Sequence, residues 1–319
     1  MGSEKLTMEN VNLVIVADEG FSLPAAVAIQ SAVETLATDR QIHVYLIDSG
    51  ISDLTFTKLA NVLWKVPQLQ LTRVQVDLSS LADLPTKGHL PTSVYVRLLL
   101  PKLLPHLDRA LYLDADVLVK QDLSQLWDKS LEGVSCLASP DSHGPYIDHA
   151  VALGEQAGCL RYVAAIRQIP NYRELGLRGD APYFNSGVML INLDWWRSHS
   201  VEATCRRVLA DNRQHILWCD QYALNVVLYE KWAVLDPRWN QGRIIYDYPD
   251  WQHSPFTELA FYQLKKDPWI VHFTTAHKPW NFNTKHPFRD EWLQTVDRTS
   301  WRGWRPSPKD LPGTKVAFF

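Results

Sequence analysis

The stretch Arg109-Ala110-Leu111-Tyr112-Leu113-Asp114-Ala115-Asp116-Val117-Leu118-Val119 decides the fold. Its apolar run has the length and composition of a buried strand. Asp114 and Asp116 therefore fall at, or just past, the carboxyl end of that strand. Open α/β sheets place their ligands at that edge. Two carboxylates separated by one residue can face one hard divalent cation, which in turn can bridge to a diphosphate. The plainer reading of an Asp-x-Asp is a cap on a turn or on the following helix. The cation reading therefore needs support from other segments.

Bulk properties set the frame. The 319 residues are enough for one large domain or two ordinary ones. The apolar content of 46% and charged content of 21% are those of a water-soluble globular chain. A net charge of −3 gives no reason to expect nucleic acid as a partner. Cys136, Cys159, Cys205 and Cys219 form no Cys-x-x-Cys pair and read as buried thiols of a reducing, cytoplasmic setting. Met1 to Asn10 is polar and has no signal-peptide core, and no apolar run is long enough to cross a bilayer. Peripheral contact with the inner membrane face stays open. Of the 13 tryptophans, nine lie from Trp218 onward. Such residues fill cores, or stack on sugars when exposed.

Strands and helices alternate on both sides of the opening stretch. Asn12–Ala17, Ile42–Ile47, Leu69–Val76 and Gly133–Ala138 read as strands, and Tyr183–Asn192 as a strand fed by an Asn/Gly turn. Helices are expected from Ser22, as N-cap with Pro24 in the first turn, to about Ala37, and from Ser52 to about Trp64. Further helices are expected over Ser93–Leu100, Leu193–Leu209, Asp220–Tyr229 and Phe288–Val296, with a short one around Ala150–Gln156. Trp269–Phe273 reads as a short strand. This alternation predicts an α/β fold with a mostly parallel, doubly wound sheet and a helical and irregular C-terminal part. Residues 77–92 read as a loop over the carboxyl edge of the sheet, and 141–180 as an excursion. The basic aromatic tail from Trp301 is expected to be mobile.

Taken in order, seven pieces resemble the family-8 retaining glycosyltransferases, which include glycogenin and bacterial lipopolysaccharide galactosyl- and glucosyltransferases. They are Val14-Ile15-Val16-Ala17-Asp18, Ile47-Asp48-Ser49-Gly50-Ile51-Ser52, Tyr95-Val96-Arg97-Leu98, Tyr112-Leu113-Asp114-Ala115-Asp116, Phe184-Asn185-Ser186-Gly187-Val188, Asp220-Gln221, and His272 through Trp280. The resemblance implies a single Rossmann-like nucleotide-sugar domain of GT-A type over residues 11–297, followed by a tail over 298–319. It implies a Mn²⁺ ion, with Mg²⁺ as the alternative, held by Asp114, Asp116 and His272. A softer imidazole beside two carboxylates favours Mn²⁺. His277 is the competing histidine, and the spacing to Lys278 favours His272.

The resemblance also assigns the substrate contacts. Asp18 would accept from uracil, Phe21 would stack on its face, and Ala17 and Ala115 fall on the substrate side. Arg97, Asn185, Asp220 and Gln221 surround the donor sugar in relatives, and Lys278 would neutralise a diphosphate oxygen. Thr275 stands where the family has Gly, which puts a backbone contact to phosphate in doubt.

The implied reaction moves a hexose from UDP-glucose or UDP-galactose to a hydroxyl of a glycan, glycolipid or other acceptor, with retention. Gln221 would lie on the β face, but an amide is a poor nucleophile; either Asp220 moves in or the acceptor attacks on the face that UDP leaves. The His89 region and residues 141–180 are candidate closing loops, the second with a part in acceptor choice. Two rivals stand beside this reading. One is a non-catalytic sugar- or nucleotide-binding protein. The other is an aspartyl phosphatase using Asp114 and Asp116, which Leu118 and the lateness of the strand disfavour.

Overall fold

The computed structural model describes residues 10–63, 65–85, 91–154 and 157–310. Its strands are β1 (Val11–Ala17), β2 (Ile42–Asp48), β3 (Leu69–Gln75), β4 (Arg109–Leu113), β5 (Val117–Val119), β6 (Cys136–Pro140), β7 (Phe184–Asn192), β8 (Trp232–Val234), β9 (Gln241–Gly242) and β10 (Ile270–His272). Seven make the main sheet, in the order β3-β2-β1-β4-β7-β6-β8. Only β7 runs against the others, pairing antiparallel with both β4 and β6. The α/β class with a mostly parallel sheet is as expected.

Burial on both faces explains the unbroken apolar strands. In β4, Ala110 and Tyr112 enter one core with Tyr95, Met189 and Trp196. Leu111 and Leu113 enter the other with Ile29, Leu46 and Trp127. Period-two alternation thus supplies two cores from one strand. The connection order reverses between β1 and β4, which pair in parallel with Ile15 opposite Leu113. That switch point opens a crevice at the carboxyl ends of both strands, where Asp18 and Asp114 emerge.

The chain does not simply continue past Asp116. β5 leaves the main sheet and joins β10 and β9 in a three-stranded one. His272 lies opposite Val117 on β5 and Gly242 on β9. The Phe273 N–H donates to the Asp116 carbonyl at 3.0 Å. This small sheet carries the distant histidine to the carboxylates.

Several local expectations need correction. Ser22 is the first helical residue of Ser22–Thr35, not its cap; Phe21 occupies the cap position, and Ser22 Oγ donates back to the Asp18 carbonyl at 2.9 Å. The expected helix over 193–209 is two helices, Leu193–Ser198 and Val201–Asp211, broken where Ser200 takes φ 50°. A non-glycine residue held there costs on the order of 1–3 kcal/mol. Thr92–Leu99 is a 3₁₀ helix that passes into the short α-helix Leu100–Leu103. The helix expected around Ala150–Gln156 spans His149–Leu153, capped by the buried Asp148 carboxylate. Strands β8 and β9 and the helix Glu258–Lys266 carry too little periodic signal to be read beforehand.

The tail is docked rather than mobile over its described part. Trp301 and Trp304 pack on the cluster of Val271, Trp280, Trp292 and Val296. Arg305 pairs with Asp297 at 2.6 Å, and Phe282 N donates to the Asp310 carbonyl at 2.7 Å. Most of the late tryptophans thus serve packing. His89, Trp64, Gln156 and the last nine residues lie outside the described residues. All four cysteines are buried and none forms a disulfide. Among the described residues no helix is long and apolar enough to cross a membrane.

Candidate active site

A cleft of ≈ 430 Å³ lies at the switch point, lined by Val16–Asp18, Phe21, Arg97, Tyr112 and Asp114–Asp116, among others. The expected uracil-side residues Ala17, Asp18, Phe21 and Ala115 all face it. Asp18 Oδ1 accepts the Phe21 N–H at 3.0 Å, so one carboxylate oxygen already closes the turn. Phe21 sits edge-on to Trp280, with ring centroids 5.8 Å apart.

At the inner wall, Asp114, Asp116 and His272 bring one ligand atom each to within 4.8 Å of one another. His272 Nε2 is 3.2 Å from Asp116 Oδ1 and 3.6 Å from Asp114 Oδ2. His277 is exposed and outside this group. His272 Nδ1 is 2.8 Å from Asn240 Oδ1, so Nδ1 must be the protonated nitrogen, because an amide oxygen only accepts. In the neutral ring Nε2 then carries the lone pair, and it is buried and without a hydrogen-bond partner. An orphaned buried acceptor costs about 1–3 kcal/mol, a cost that ligation removes. Space is kept by Gly187: a Cβ there would stand 2.3 Å from His272 Cε1 and 2.6 Å from Asp114 Oδ2. Donor set, tautomer and room all fit a divalent cation.

Charge is balanced around the acids. Lys278 is fully buried; its ammonium donates to Asp116 Oδ2 and to the Phe273 carbonyl. Expected on a diphosphate oxygen, it here neutralises a carboxylate instead. Burial works to raise the Asp116 pKa, but the Lys278 ammonium overcomes it and holds the carboxyl well below the usual range. Thr275 is half-buried, and its hydroxyl accepts the His277 N–H at 3.2 Å.

Arg97 is the hub of the other wall. Its guanidinium donates to Asp114 Oδ1 at 3.0 Å and to the Ser186 carbonyl, and its Nε lies 2.8 Å from Asp220 Oδ2. The last contact is an ion pair without hydrogen-bond alignment. The ring of Tyr112 lies under the guanidinium at 4.6 Å, and the Tyr112 hydroxyl donates to Asp114 Oδ1 at 2.8 Å. Burial pushes Asp220 up to about 6, against the pull of Arg97.

Gln221 is fixed at both ends. Its Oε1 accepts the Ser186 N–H at 3.1 Å and its Nε2 donates to Asp141 Oδ2 at 2.8 Å. Asn185 Nδ2 also donates to Asp141 Oδ2, at 3.3 Å, while Asn185 Oδ1 accepts from Gly187 N and Asn240 Nδ2, both at 2.9 Å. A chain of side chains therefore runs from His272 through Asn240, Asn185 and Asp141 to Gln221. Asp141, Asn240 and Tyr112 were not among the site residues read from the sequence. Only spatial neighbours reveal them.

The chain belongs to glycosyl transferase family 8, whose family model matches residues 12–284. It is 28% identical over 297 residues to General stress protein A of Bacillus subtilis, covering 92% of this chain and 95% of that protein. It is 27% identical to the lipopolysaccharide 1,2-glucosyltransferase of Escherichia coli K12 over 95% of this chain and 82% of that one. The crystal structure of the galactosyltransferase LgtC in complex with donor and acceptor sugar analogs superposes with a TM-score of 0.73. It shares 22% identity and covers 94% of this chain and 99% of that one.

Proposed function

We propose that the protein moves a glucose or galactose from its UDP carrier to a hydroxyl of a glycan or glycolipid, with retention of configuration. The observation that carries this reading is the group Asp114, Asp116 and His272, with its orphaned imidazole nitrogen, at the edge of the cleft. Those three residues would hold Mn²⁺, or Mg²⁺. When bound, such an ion supplies Lewis-acid charge to a departing diphosphate. Two named relatives, a glucosyltransferase and a galactosyltransferase solved with donor and acceptor sugar analogs, support a nucleotide-sugar donor and a sugar acceptor.

The chain's own residues do the rest. Asp18, Phe21, Ala17 and Ala115 bind the nucleoside end in the cleft. Arg97 places permanent positive charge where negative charge grows on the leaving group. Asn185, Asp220 and Gln221 surround the sugar, and the Ser186 and Asp141 contacts orient the Gln221 amide. With Gln221 a weak nucleophile and Asp220 ion-paired to Arg97, we favour attack by the acceptor on the face that UDP leaves. Lys278 tunes Asp116 in the metal-free state and reaches the diphosphate only if the loop at 276–279 shifts. The catalytic unit spans residues 11–297, with 298–319 as an appendage, in a cytoplasmic protein.

A screen for UDP release tests this. UDP-glucose, UDP-galactose and other UDP-sugars are each incubated with and without Mn²⁺ and acceptor sugars. Metal-dependent UDP release supports the assignment. Tight UDP and Mn²⁺ binding with no release from any donor points instead to a binding protein.

A further inference from the structure

Trp127, Trp196, Trp239 and Trp292 are buried, whereas Trp218 is 36% exposed. Yet Trp218 is anchored: its indole N–H donates to Gln168 Oε1 at 2.6 Å. Gln168 is itself only 1% exposed, and its backbone N–H donates to the Ile147 carbonyl at 2.8 Å. A Cβ on Gly144 would fall 1.8 Å from Gln168 Nε2, so the amide fills the space that only a glycine there leaves. The next residue, Cys219, has φ 45°, a conformation that side chains rarely adopt. This strained turn leaves Trp218 outside, while Asp220 and Gln221, at the start of the helix Cys219–Val227, turn inward to Arg97 and Asp141. The Trp218 carbonyl accepts the Gln221 N–H at 2.9 Å, so platform and site residue share one helical turn.

The buried Gln168 amide is itself held at its other end, where Nε2 donates to the Ala165 carbonyl at 3.3 Å. It fixes a flat apolar surface in one orientation. We propose that Trp218 is a stacking platform for a pyranose ring of the acceptor, and that Gln168, from the segment at 141–180, is the positioning residue that sets its angle. The C–H face of a pyranose is apolar and rigid, and a preorganised aromatic plane meets it without loss of rotamer freedom. Its place next to Gln221 suits the acceptor rather than the nucleotide, whose cleft lies at the β1 and β4 ends. The inference rests on the donor site proposed above.

The test labels the protein with 5-fluorotryptophan and assigns the Trp218 resonance by W218F. The Mg²⁺- and UDP-loaded protein is titrated with lactose, maltose and methyl β-D-galactopyranoside. A saturable shift of the Trp218 resonance with at least one sugar is expected, at least ten-fold weaker in affinity in Q168A. Where a transfer assay is available, W218A should raise the acceptor KM ten-fold or more, beyond any change in the UDP-sugar KM. W218F should stay within about three-fold, and L259S, a change at a more exposed apolar residue on the Glu258–Lys266 helix, should leave the acceptor KM unchanged. A Trp218 resonance that no sugar moves, or an acceptor KM indifferent to W218A in a folded protein, overturns the platform. UDP release by the wild-type protein is read separately, so a failed donor assignment is told apart from a failed platform.

Discussion

The Asn240 side-chain oxygen lies 2.8 Å from His272 Nδ1 and so dictates which nitrogen of that ring faces the carboxylates. Asn240 belongs to the 3₁₀ turn Pro237–Asn240, just before β9, so the small sheet both delivers the histidine and sets its tautomer. The same asparagine passes its own N–H to Asn185, tying the group of Asp114, Asp116 and His272 to the Asn185, Asp141 and Gln221 side of the cleft.

Replacing Asn240 by Ala frees the imidazole to rotate and to change tautomer. Loss of such an outer partner weakens metal binding about 10–100-fold. Calorimetric titration with Mn²⁺ should show this rise in Kd for N240A. An unchanged Kd would mean that packing alone holds the ring.

Gly187 is a second point of control. Its β7 position puts the missing Cβ between His272 and Asp114, at 2.3 and 2.6 Å. G187A must push one of these ligands aside. Overpacking of this kind costs about 1–3 kcal/mol, and the displaced ligand should lower Mn²⁺ affinity more than ten-fold. A urea melt reads the first effect and metal titration the second. Retention of both would show that the site yields easily.

The main sheet was legible because its strands bury both faces. β1, β2, β4 and β7 carry unbroken apolar runs, and their ends lie within a few residues of the expected ones. That Asp114, Asp116 and His272 meet in space was legible through motif order. What stayed hidden depends on contacts between distant segments. Asn240 and Asp141 sit in stretches without periodicity and act only through partners far along the chain. The break at Ser200 defeats an amphipathic pattern that runs straight through it. The docking of the tail rests on Trp301 and Trp304 meeting Trp292, which composition alone reads as a mobile end.

The buried Asp220 carboxyl predicts a pH limb for the proposed transfer reaction. Burial places its carboxyl at about 6, so the charge that faces Arg97 forms only above that value. kcat/KM for the UDP-sugar should rise roughly ten-fold per pH unit below pH 6 and flatten above it. D220N should abolish the limb while lowering the plateau. A limb that persists unchanged in D220N assigns the titration to another group.

Asp220 and His286 make opposite demands on stability over nearly the same pH window. His286 is buried against Phe273, with ring centroids 4.7 Å apart, and its Nδ1 accepts the Phe288 N–H at 3.2 Å. Burial lowers its pKa from 6.5 to about 4. Between those values the unfolded chain binds the extra proton, so this residue's contribution is full above pH 6.5 and is lost as pH falls toward 4. The gap corresponds to about 3 kcal/mol. For Asp220 the folded pKa is raised from 3.8 to about 6, so the folded protein holds the extra proton. Its contribution is full below pH 3.8 and is lost, again by about 3 kcal/mol, as pH rises through 6. In the wild-type protein the two slopes largely offset each other. Separating them takes two variants, each followed by urea melts from pH 4 to 7 in the presence of chelator. Relative to wild type, D220N should gain stability as pH rises across this window, and H286Q should lose it. The double variant should track the wild-type profile; parallel profiles for all four proteins would show that neither group carries its shifted proton into the folded state.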